Sequence, residues 1–493
     1  MAKGERIVSS SSRRCNPSFS EFETSSSSRD ARANTRGMES SDDDDGYDDA
    51  FDRFLRWCAK VRVDVDVEAA TFTARRGGGG RGVACARHLE RGAVLARIPV
   101  DACLTLRACG IPELARAIEA KVVKHKASWL CETASALCVE RHLGRDSRFE
   151  PYVAVLPSCE PNVVSMWSDD DRALLEGTEI DLALRDESRE ARREYDDVVS
   201  DVFKAHGVQC PFESYHAART VVSSRAFQIS PEIGAGLAPI ADCFNHRTGG
   251  HDVVVGDGAL ATTSDDDALS VKVVREGGCK SGDEIFNTYG FLGNARLLNS
   301  YGFTQCDNPA DSVSLSTSSI RAAAAMVGTS GPQIASRFAW IEAAELIPNP
   351  DESFEIGRAC YLPDDLLYVA WACVEDEDAF STVRHAASRH DAVTAIETAA
   401  RSKSLSGIRP VLTPTVANVI ASAIKRRLSM YAVIGNDRTR NERLKCAAAL
   451  IESERKIWTA VLKILDEFRV VDDEDEVSKK RSKSGDDAFA LFD

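Results

Sequence analysis

The chain has 493 residues, 43% of them hydrophobic, and a formal net charge of −16 from 61 Lys and Arg against 77 Asp and Glu. That length and apolar content imply two or three domains with sizeable cores. The acidic balance argues against a general nucleic-acid or membrane-surface binder, which needs a basic face. It fits a partner that is itself basic, such as a ribosomal protein, a histone or a Lys-rich tail.

The fifteen cysteines form no CxxC or CxC pair, and the shortest spacing is Cys103 to Cys109. An odd, scattered set reads as reduced, mostly buried thiols in an intracellular protein, and it excludes a zinc ribbon. No metal site is expected. No apolar run is long enough to span a bilayer.

Residues 1–50 read as a disordered tail. Residues 1–37 are rich in Ser and Arg, as organelle transit peptides are, but Glu5, Glu21 and Glu23 interrupt the pattern. Met38 is an alternative start. An acidic cluster runs from Asp42 to Asp45, with Asp48 and Asp49 after it. Phe51, Phe54, Leu55 and Cys58 fall at helical spacing and begin the folded region.

Gly77 to Gly80, Arg81 and Gly82 make a glycine-rich turn. Glycine lets backbone approach a ligand closely, but no Lys-Ser/Thr follows, so this is no phosphate loop. Residues 93–99 read as a strand. Residues 109–222 carry a helical pattern, including Trp129 to Leu143 and an amphipathic face of Tyr195, Val198, Val199, Val202 and Phe203. From about 221 to 290, short apolar runs alternate with Gly- and Asp-rich turns, as strands do, for example Asp252 to Val255 and Leu269 to Val274.

Beyond 306 the pattern turns helical. Thr413-Pro414 is an N-cap with Pro at the first helical position. Leu444, Ile451, Trp458, Val461, Leu462 and Leu465 mark a further helix. Residues 471–493 form a charged tail with one basic island, Lys479 to Lys483. The order is strand-rich, helical, strand-rich, helical, which gives an α+β fold class.

Two short blocks carry the chemistry. The first is Pro239-Ile240-Ala241-Asp242-Cys243-Phe244-Asn245-His246. The second is Phe286-Asn287-Thr288-Tyr289-Gly290, followed by Asn294 and by Tyr301-Gly302-Phe303. Asn-His beside an apolar run suggests a buried hydrogen-bonding station. Two tyrosines twelve apart, each followed by Gly, suggest phenols aimed into one pocket.

Both blocks resemble the SET-domain protein methyltransferases. The element order is similar to the split SET domains of the Rubisco large-subunit methyltransferase and SET-domain-containing-protein-6 class. The resemblance covers residues 51–306 by motif and 307–470 by helical character and position only. It implies a β-rich SET fold in which the two blocks cross as a pseudoknot. A helical insertion, about 109–222, splits that fold, and a helical substrate-binding domain, 307–470, caps the site in place of zinc.

It also implies S-adenosyl-L-methionine as cofactor, no metal, and a protein substrate presenting a lysine. Neither nucleic acid nor membrane is an expected partner. Tyr289 is the central catalytic residue and Tyr301 its partner, which also lies on the cofactor. Gly79, Gly80, Arg81, Gly82, Arg225, Asn245 and His246 are cofactor residues. Trp129, Ala226, Phe227, Gln228 and Asp242 are substrate residues, and Asn294 braces the loop.

Direct methyl transfer to an amine needs a deprotonated lysine, against an ordinary pKa of about 10.4, and tight positioning. Two tyrosines and the bulky Phe227 suggest chiefly monomethylation. A SET relative methylates an actin histidine, but Phe227 stands where that relative has Asn. A catalytically silent binding module is the reading from another class. One departure from the family pattern is the stretch Arg247 to His251, which lacks the small polar residue often seen directly after His246. The related group is usually nuclear, and the Lys479–Lys483 island permits nuclear import.

Overall fold

The computed structural model describes residues 42–74, 81–256, 268–347, 353–401, 409–434 and 441–468. The glycines at 77–80, and so Gly79 and Gly80, lie outside the described residues, as do residues 1–41 and the 471–493 tail. The chain divides into 1–46 and 47–493. The described residues of the first part are the opening turn of a helix.

That helix, α1 (Asp42–Lys60), starts well before the expected Phe51. The acidic run lies at its N-terminal end, a position that favours Asp. The expectation of an unstructured tail as far as residue 50 is corrected there. The apolar positions behave as read: Phe54 and Cys58 are buried, and Phe54 stacks on Tyr152 with centroids 5.5 Å apart.

Strands β1 (Asp64–Val65), β2 (Ala70–Ala74), β3 (Arg81–Cys85) and β4 (Val94–Pro99) come next. The insertion holds α2 (Pro112–His125), α3 (Trp129–Leu143), α4 (Glu150–Val153), α5 (Asp169–Ala173), α6 (Glu179–Glu194), α7 (Ser200–Ala205) and α8 (Phe212–Arg225). Between α6 and α7 the residues Tyr195–Val199 wind as a π-helix that buries Val198 and Val199.

After the insertion come β5 (Ala226–Ser230), β6 (Gly234–Leu237), β7 (Val253–Gly256) and β8 (Ala268–Val273), then α9 (Asn294–Tyr301). The main sheet has the order β1-β4-β8-β7. Strand β4 precedes the insertion and β8 follows it, yet they pair antiparallel with Ile98 opposite Leu269. The helices α2–α8 are therefore looped out between neighbouring strands of one sheet. In β8 burial alternates residue by residue, with Leu269, Val271 and Val273 inward, the period-two pattern of a strand with one covered face.

The remainder is β9 (Ser312–Ser316), α10 (Thr317–Met326), α11 (Gly331–Ala343), β10 (Ser353–Gly357), α12 (Asp364–Val374), α13 (Glu377–Val383), α14 (Arg389–Arg401), α15 (Pro414–Met430) and α16 (Glu442–Asp466). Thr413 caps α15 by accepting a hydrogen bond from the Val416 amide at 3.3 Å, and Pro414 opens it. The region beyond 306 is mostly helical, as read, with β9 and β10 pairing antiparallel inside it. Ser312-Val313-Ser314-Leu315-Ser316 alternates with Val313 and Leu315 buried, but its serines hide the strand signal.

Two large cores result, one drawn from residues 51–285 and one from 313–465. A third, smaller cluster joins the insertion, α9 and α16 through Val164, Trp167, Ile180, Leu298, Ala447 and Leu450. A polar knot runs beside it. Arg427 of α15 pairs with Glu179 of α6 at 3.0 Å and donates to the Ser314 carbonyl at 3.2 Å and to the Gly177 carbonyl. Glu179 also accepts from the Ser314 amide at 2.7 Å. Glu454 of α16 accepts from the Glu179 amide at 3.1 Å and from the Tyr431 hydroxyl, which itself accepts from Trp458 Nε1 at 2.9 Å.

Burial, reinforced by the neighbouring Glu179, pushes the Glu454 carboxyl up to about 8. A raised carboxyl contributes stability that is complete below its unfolded pKa and lost as pH rises through its folded pKa. Stability of the chain is expected to fall from the ordinary carboxylate range toward pH 8 by as much as about 1.4 kcal/mol per pH unit. Denaturant melts of wild type and Glu454→Gln across pH 5–9 check this: the variant loses that slope.

Candidate active site

The site is built where residues 283–289 lie between two other segments. On one side they lace to β3: the Cys85 amide donates to the Asp283 carbonyl at 2.8 Å and the Ile285 amide to the Val83 carbonyl at 2.7 Å. On the other side they lace to residues 245–253. The Asn287 amide donates to the Asn245 carbonyl at 2.7 Å, the Arg247 amide to the Asn287 carbonyl at 3.0 Å, and the Val253 amide to the Phe286 carbonyl at 3.0 Å. His246 and Asn287 run parallel at this bridge. Neither stretch is a regular strand, so side chains take over where the ladder stops.

His246 is the first of these. Its Nδ1 accepts from the Tyr289 amide at 2.9 Å, so its Nε2 carries the proton and donates to Thr248 Oγ1 at 2.7 Å. Thr248 passes its own hydroxyl proton to the Leu292 carbonyl at 3.3 Å. Burial, helped by the nearby His251, pushes the His246 pKa down to about 4, so the ring is neutral. Thr248, two residues after His246, is the hydroxyl that takes this bond.

The aromatic rings continue from there. His246 stacks on Tyr289 with centroids 4.8 Å apart, Tyr289 stacks on Tyr301 at 4.7 Å, and Phe303 closes on Tyr301 at 6.3 Å. The Tyr289 hydroxyl donates to the Phe244 carbonyl at 2.9 Å. Burial raises the Tyr289 phenol well above its ordinary value, with Arg225 opposing and Tyr301 and Asp242 adding to the rise. The phenol therefore stays protonated and keeps donating to that carbonyl. Burial also raises the Tyr301 phenol.

Asn294 braces this from α9. Its side-chain amide donates to the Gln305 carbonyl and to Asp311 Oδ2, both at 3.0 Å, and its Oδ1 accepts from the Gln305 amide at 2.7 Å. Asp311 also accepts the Asn294 backbone amide at 2.7 Å, at the start of α9. All of its polar atoms face protein, as a loop brace requires.

Asp242 and Arg225 stand beside the tyrosines. Asp242 Oδ2 accepts from the Tyr152 hydroxyl at 3.2 Å, while Oδ1 is buried with no hydrogen-bond partner in the protein. Burial pushes the Asp242 carboxyl up to about 6 against the opposing pull of Arg225. The Arg225 guanidinium is engaged by Glu160, with Nε donating to Oε1 at 2.8 Å. Nη1 reaches the Asp242 carbonyl at 3.4 Å. Sequence reasoning missed Glu160, because a carboxylate in Ser158-Cys159-Glu160-Pro161 has no periodic or motif signal.

Asn245 donates to Glu284 Oε1 at 2.7 Å, so Glu284 is a second residue the sequence did not mark. Gly82 lies inside β3, opposite Thr73, rather than in a loop ahead of a strand, and Arg81 pairs with Ala74. Ala226, Phe227 and Gln228 form the start of β5, with Phe227 opposite Gly236 and half-buried and Gln228 exposed. Trp129 opens α3 and is 48% exposed, which excludes an ordinary core role. One turn on, Thr133 donates to the Ala235 carbonyl in β6, so α3 and the β5–β6 pair are packed together.

The donor set suits a ligand with polar ends at the crossing. Asn287 Nδ2 is a buried donor with no partner in the protein, on a residue whose backbone bridges to His246. Among the described residues no group of three His, Cys, Asp or Glu side chains could hold a metal ion. Among them, too, no helix is long and apolar enough to cross a membrane.

No family model matches the chain. It is similar to the N-lysine methyltransferase SETD6 of Rattus norvegicus, with 26% identity over 341 residues, 65% of this chain and 68% of that one. The Xenopus laevis setd6 N-lysine methyltransferase is 24% identical over 273 residues, 51% of this chain and 57% of that one. The ribosomal lysine N-methyltransferase set10 of Schizosaccharomyces pombe is 28% identical over 184 residues, 36% of this chain and 32% of that one. The matches thus span from about a third to two thirds of these relatives' lengths.

Among solved structures, the SET domain of LSMT bound to lysine and AdoHcy superposes with a TM-score of 0.63 at 18% identity, covering 89% of this chain and 97% of that one. Rubisco LSMT bound to sinefungin and monomethyllysine gives 0.62 at 18% identity, covering 88% and 96%. Crossed segments and split sheet agree with these likenesses: the fold is similar to the split SET fold of Rubisco LSMT, and the sequence is similar to the SETD6 N-lysine methyltransferases.

Proposed function

We propose that the chain is a protein-lysine N-methyltransferase that uses S-adenosyl-L-methionine. The observation that carries this is the crossing itself. It brings Asn245, His246, Tyr289 and Tyr301 from distant parts of the sequence into one hydrogen-bonded, stacked unit. In this reading Asn245, the His246 backbone, Gly82 and the orphan Asn287 donor hold the cofactor. Asp242, Arg225, Ala226, Phe227, Gln228 and Trp129 face the substrate. Arg225 moves to the substrate side because its guanidinium is held by Glu160 next to Asp242 and Tyr289.

The bound cofactor supplies an electrophilic methyl group on a positively charged sulfur. The protein's part is to deliver a neutral amine in line with it. A channel walled by Tyr289, Tyr301 and Phe303 excludes water and disfavours the ammonium form. The Tyr289 oxygen, its proton committed to the Phe244 carbonyl, keeps its lone pairs for the amine N–H and so turns the nitrogen lone pair toward the methyl group. The close stacking of Tyr289 on Tyr301 supports a narrow channel and chiefly monomethylation.

The helical region α10–α16 is proposed to hold the protein substrate. The acidic chain supports a basic one, and the Lys479–Lys483 island supports work in the nucleus. The cap is not separable from the site, because Arg427, Glu454 and the Leu298–Ala447 cluster join it to the insertion and α9.

Labelled S-adenosylmethionine is expected to transfer its methyl to lysine in a basic protein fraction, identified by residue-level mapping. Label on histidine would overturn the lysine assignment, and no label on any protein would overturn the enzyme. Tyr289→Phe should reduce turnover on the order of 10²-fold with cofactor affinity nearly intact; single-turnover kinetics against calorimetric binding separate the two. Asn245→Ala should weaken S-adenosylhomocysteine binding by roughly 1–3 kcal/mol, through loss of the side-chain contact proposed for Asn245. Calorimetry reads that loss.

A further inference from the structure

Residues 157–167 form a strap tied to α3, α8, α16 and the glycine that ends α9. Arg141 of α3 donates to the Pro157 carbonyl at 2.7 Å and to the Ser158 carbonyl at 3.1 Å. The Glu160 amide donates to Thr220 Oγ1 at 3.1 Å, on the same α8 helix that ends in Arg225. Gly302, at φ +76°, lies so close to the strap that a Cβ there would stand 2.8 Å from the Asn162 carbonyl carbon. Arg443 of α16 donates to the Pro161 carbonyl at 2.9 Å and pairs with Asp171 at 3.0 Å. Trp167 Nε1 closes the strap on the Asn162 carbonyl at 2.8 Å.

A backbone held at so many points fixes where the Glu160 side chain can go. One of its oxygens binds both Nε and Nη2 of Arg225, each at 2.8 Å. The same guanidinium is the natural counter-charge for Asp242, whose Oδ1 is left with no partner in the protein. Two carboxylates thus compete for one cation, and the strap decides the contest.

We propose that Glu160 is a positioning residue: it holds the Arg225 guanidinium off the Asp242 carboxylate and so leaves the buried Asp242 Oδ1 unpaired for a substrate group to engage. This rests on the reading of Asp242 as a substrate residue. The groups facing Asp242 are Arg225 from α8, Tyr152 from α4, Cys58 from α1, Tyr289 from the crossing and Glu160 itself. With Glu160 neutral, Arg225 turns onto Asp242 and caps the unpaired oxygen. The Asp242 carboxyl then titrates lower, for two reasons that add: a negative neighbour is gone and the cation is closer.

The test uses the full chain with ¹³C-labelled aspartate carboxyls, Asp242 being assigned by its loss in Asp242→Asn. In Glu160→Gln the Asp242 titration should fall by about one pH unit or more. Glu160→Asp, which keeps the charge on the strap, should restore it toward wild type. With a lysine substrate in hand, Glu160→Gln should raise KM about tenfold, change kcat by no more than about threefold, and move the acidic limb of kcat/KM to lower pH. An unchanged Asp242 titration in a folded Glu160→Gln protein overturns the proposal whatever the activity. A shifted titration in a protein that transfers no methyl to lysine upholds the positioning and sinks the functional reading instead.

Discussion

Everything at the site depends on one crossing, in which residues 283–289 are hydrogen-bonded to β3 on one side and to residues 245–253 on the other. A crossing of irregular segments cannot satisfy its backbone by a ladder alone, and buried polar groups left unpaired are costly. His246 resolves this by accepting the Tyr289 amide, which also orients the Tyr289 ring beneath its own. The group that satisfies the backbone is therefore the group that aims the phenol. Its depressed pKa follows from the same burial, so the arrangement does not change over the physiological range.

A second layer surrounds this one and is made of charges rather than rings. Arg225, Glu160, Asp242 and Tyr152 form a chain in which Asp242 Oδ1 is a buried acceptor with no partner in the protein. Farther out, Arg427, Glu179, Glu454 and Tyr431 tie the insertion to the helical region. Buried ionic groups of this kind add little net stability, but removing one partner leaves a charge stranded at a cost of several kcal/mol. They act as registration marks between α6, α15 and α16, and the apolar cluster around Leu298 adds the adhesion.

Much of this was legible in the chain. The period-two burial of β8, the Thr413-Pro414 cap and the buried face of the helix at 442–466 all follow from local pattern. The two motif blocks marked His246, Tyr289 and Tyr301, because unusual polar residues beside apolar runs stand out. What could not be read were partners fixed only by tertiary approach. Glu160 meets Arg225 and Glu284 meets Asn245 across long stretches of sequence, and neither carries a local signature. Serine alternation hid β9, and the acidic run concealed the start of α1, since propensity is a weak prior where packing or end effects decide.

The split sheet also sets an order of assembly. Strand β4 has no partner on one edge until β8 has been made. Pairings so distant in sequence are slow to form, because the intervening chain must first be brought together. During synthesis the apolar edge of β4 waits exposed through the whole insertion, and the crossing that carries the tyrosines forms later still. The crossing that places the tyrosines therefore cannot close until β3, residues 245–253 and residues 283–289 have all been made.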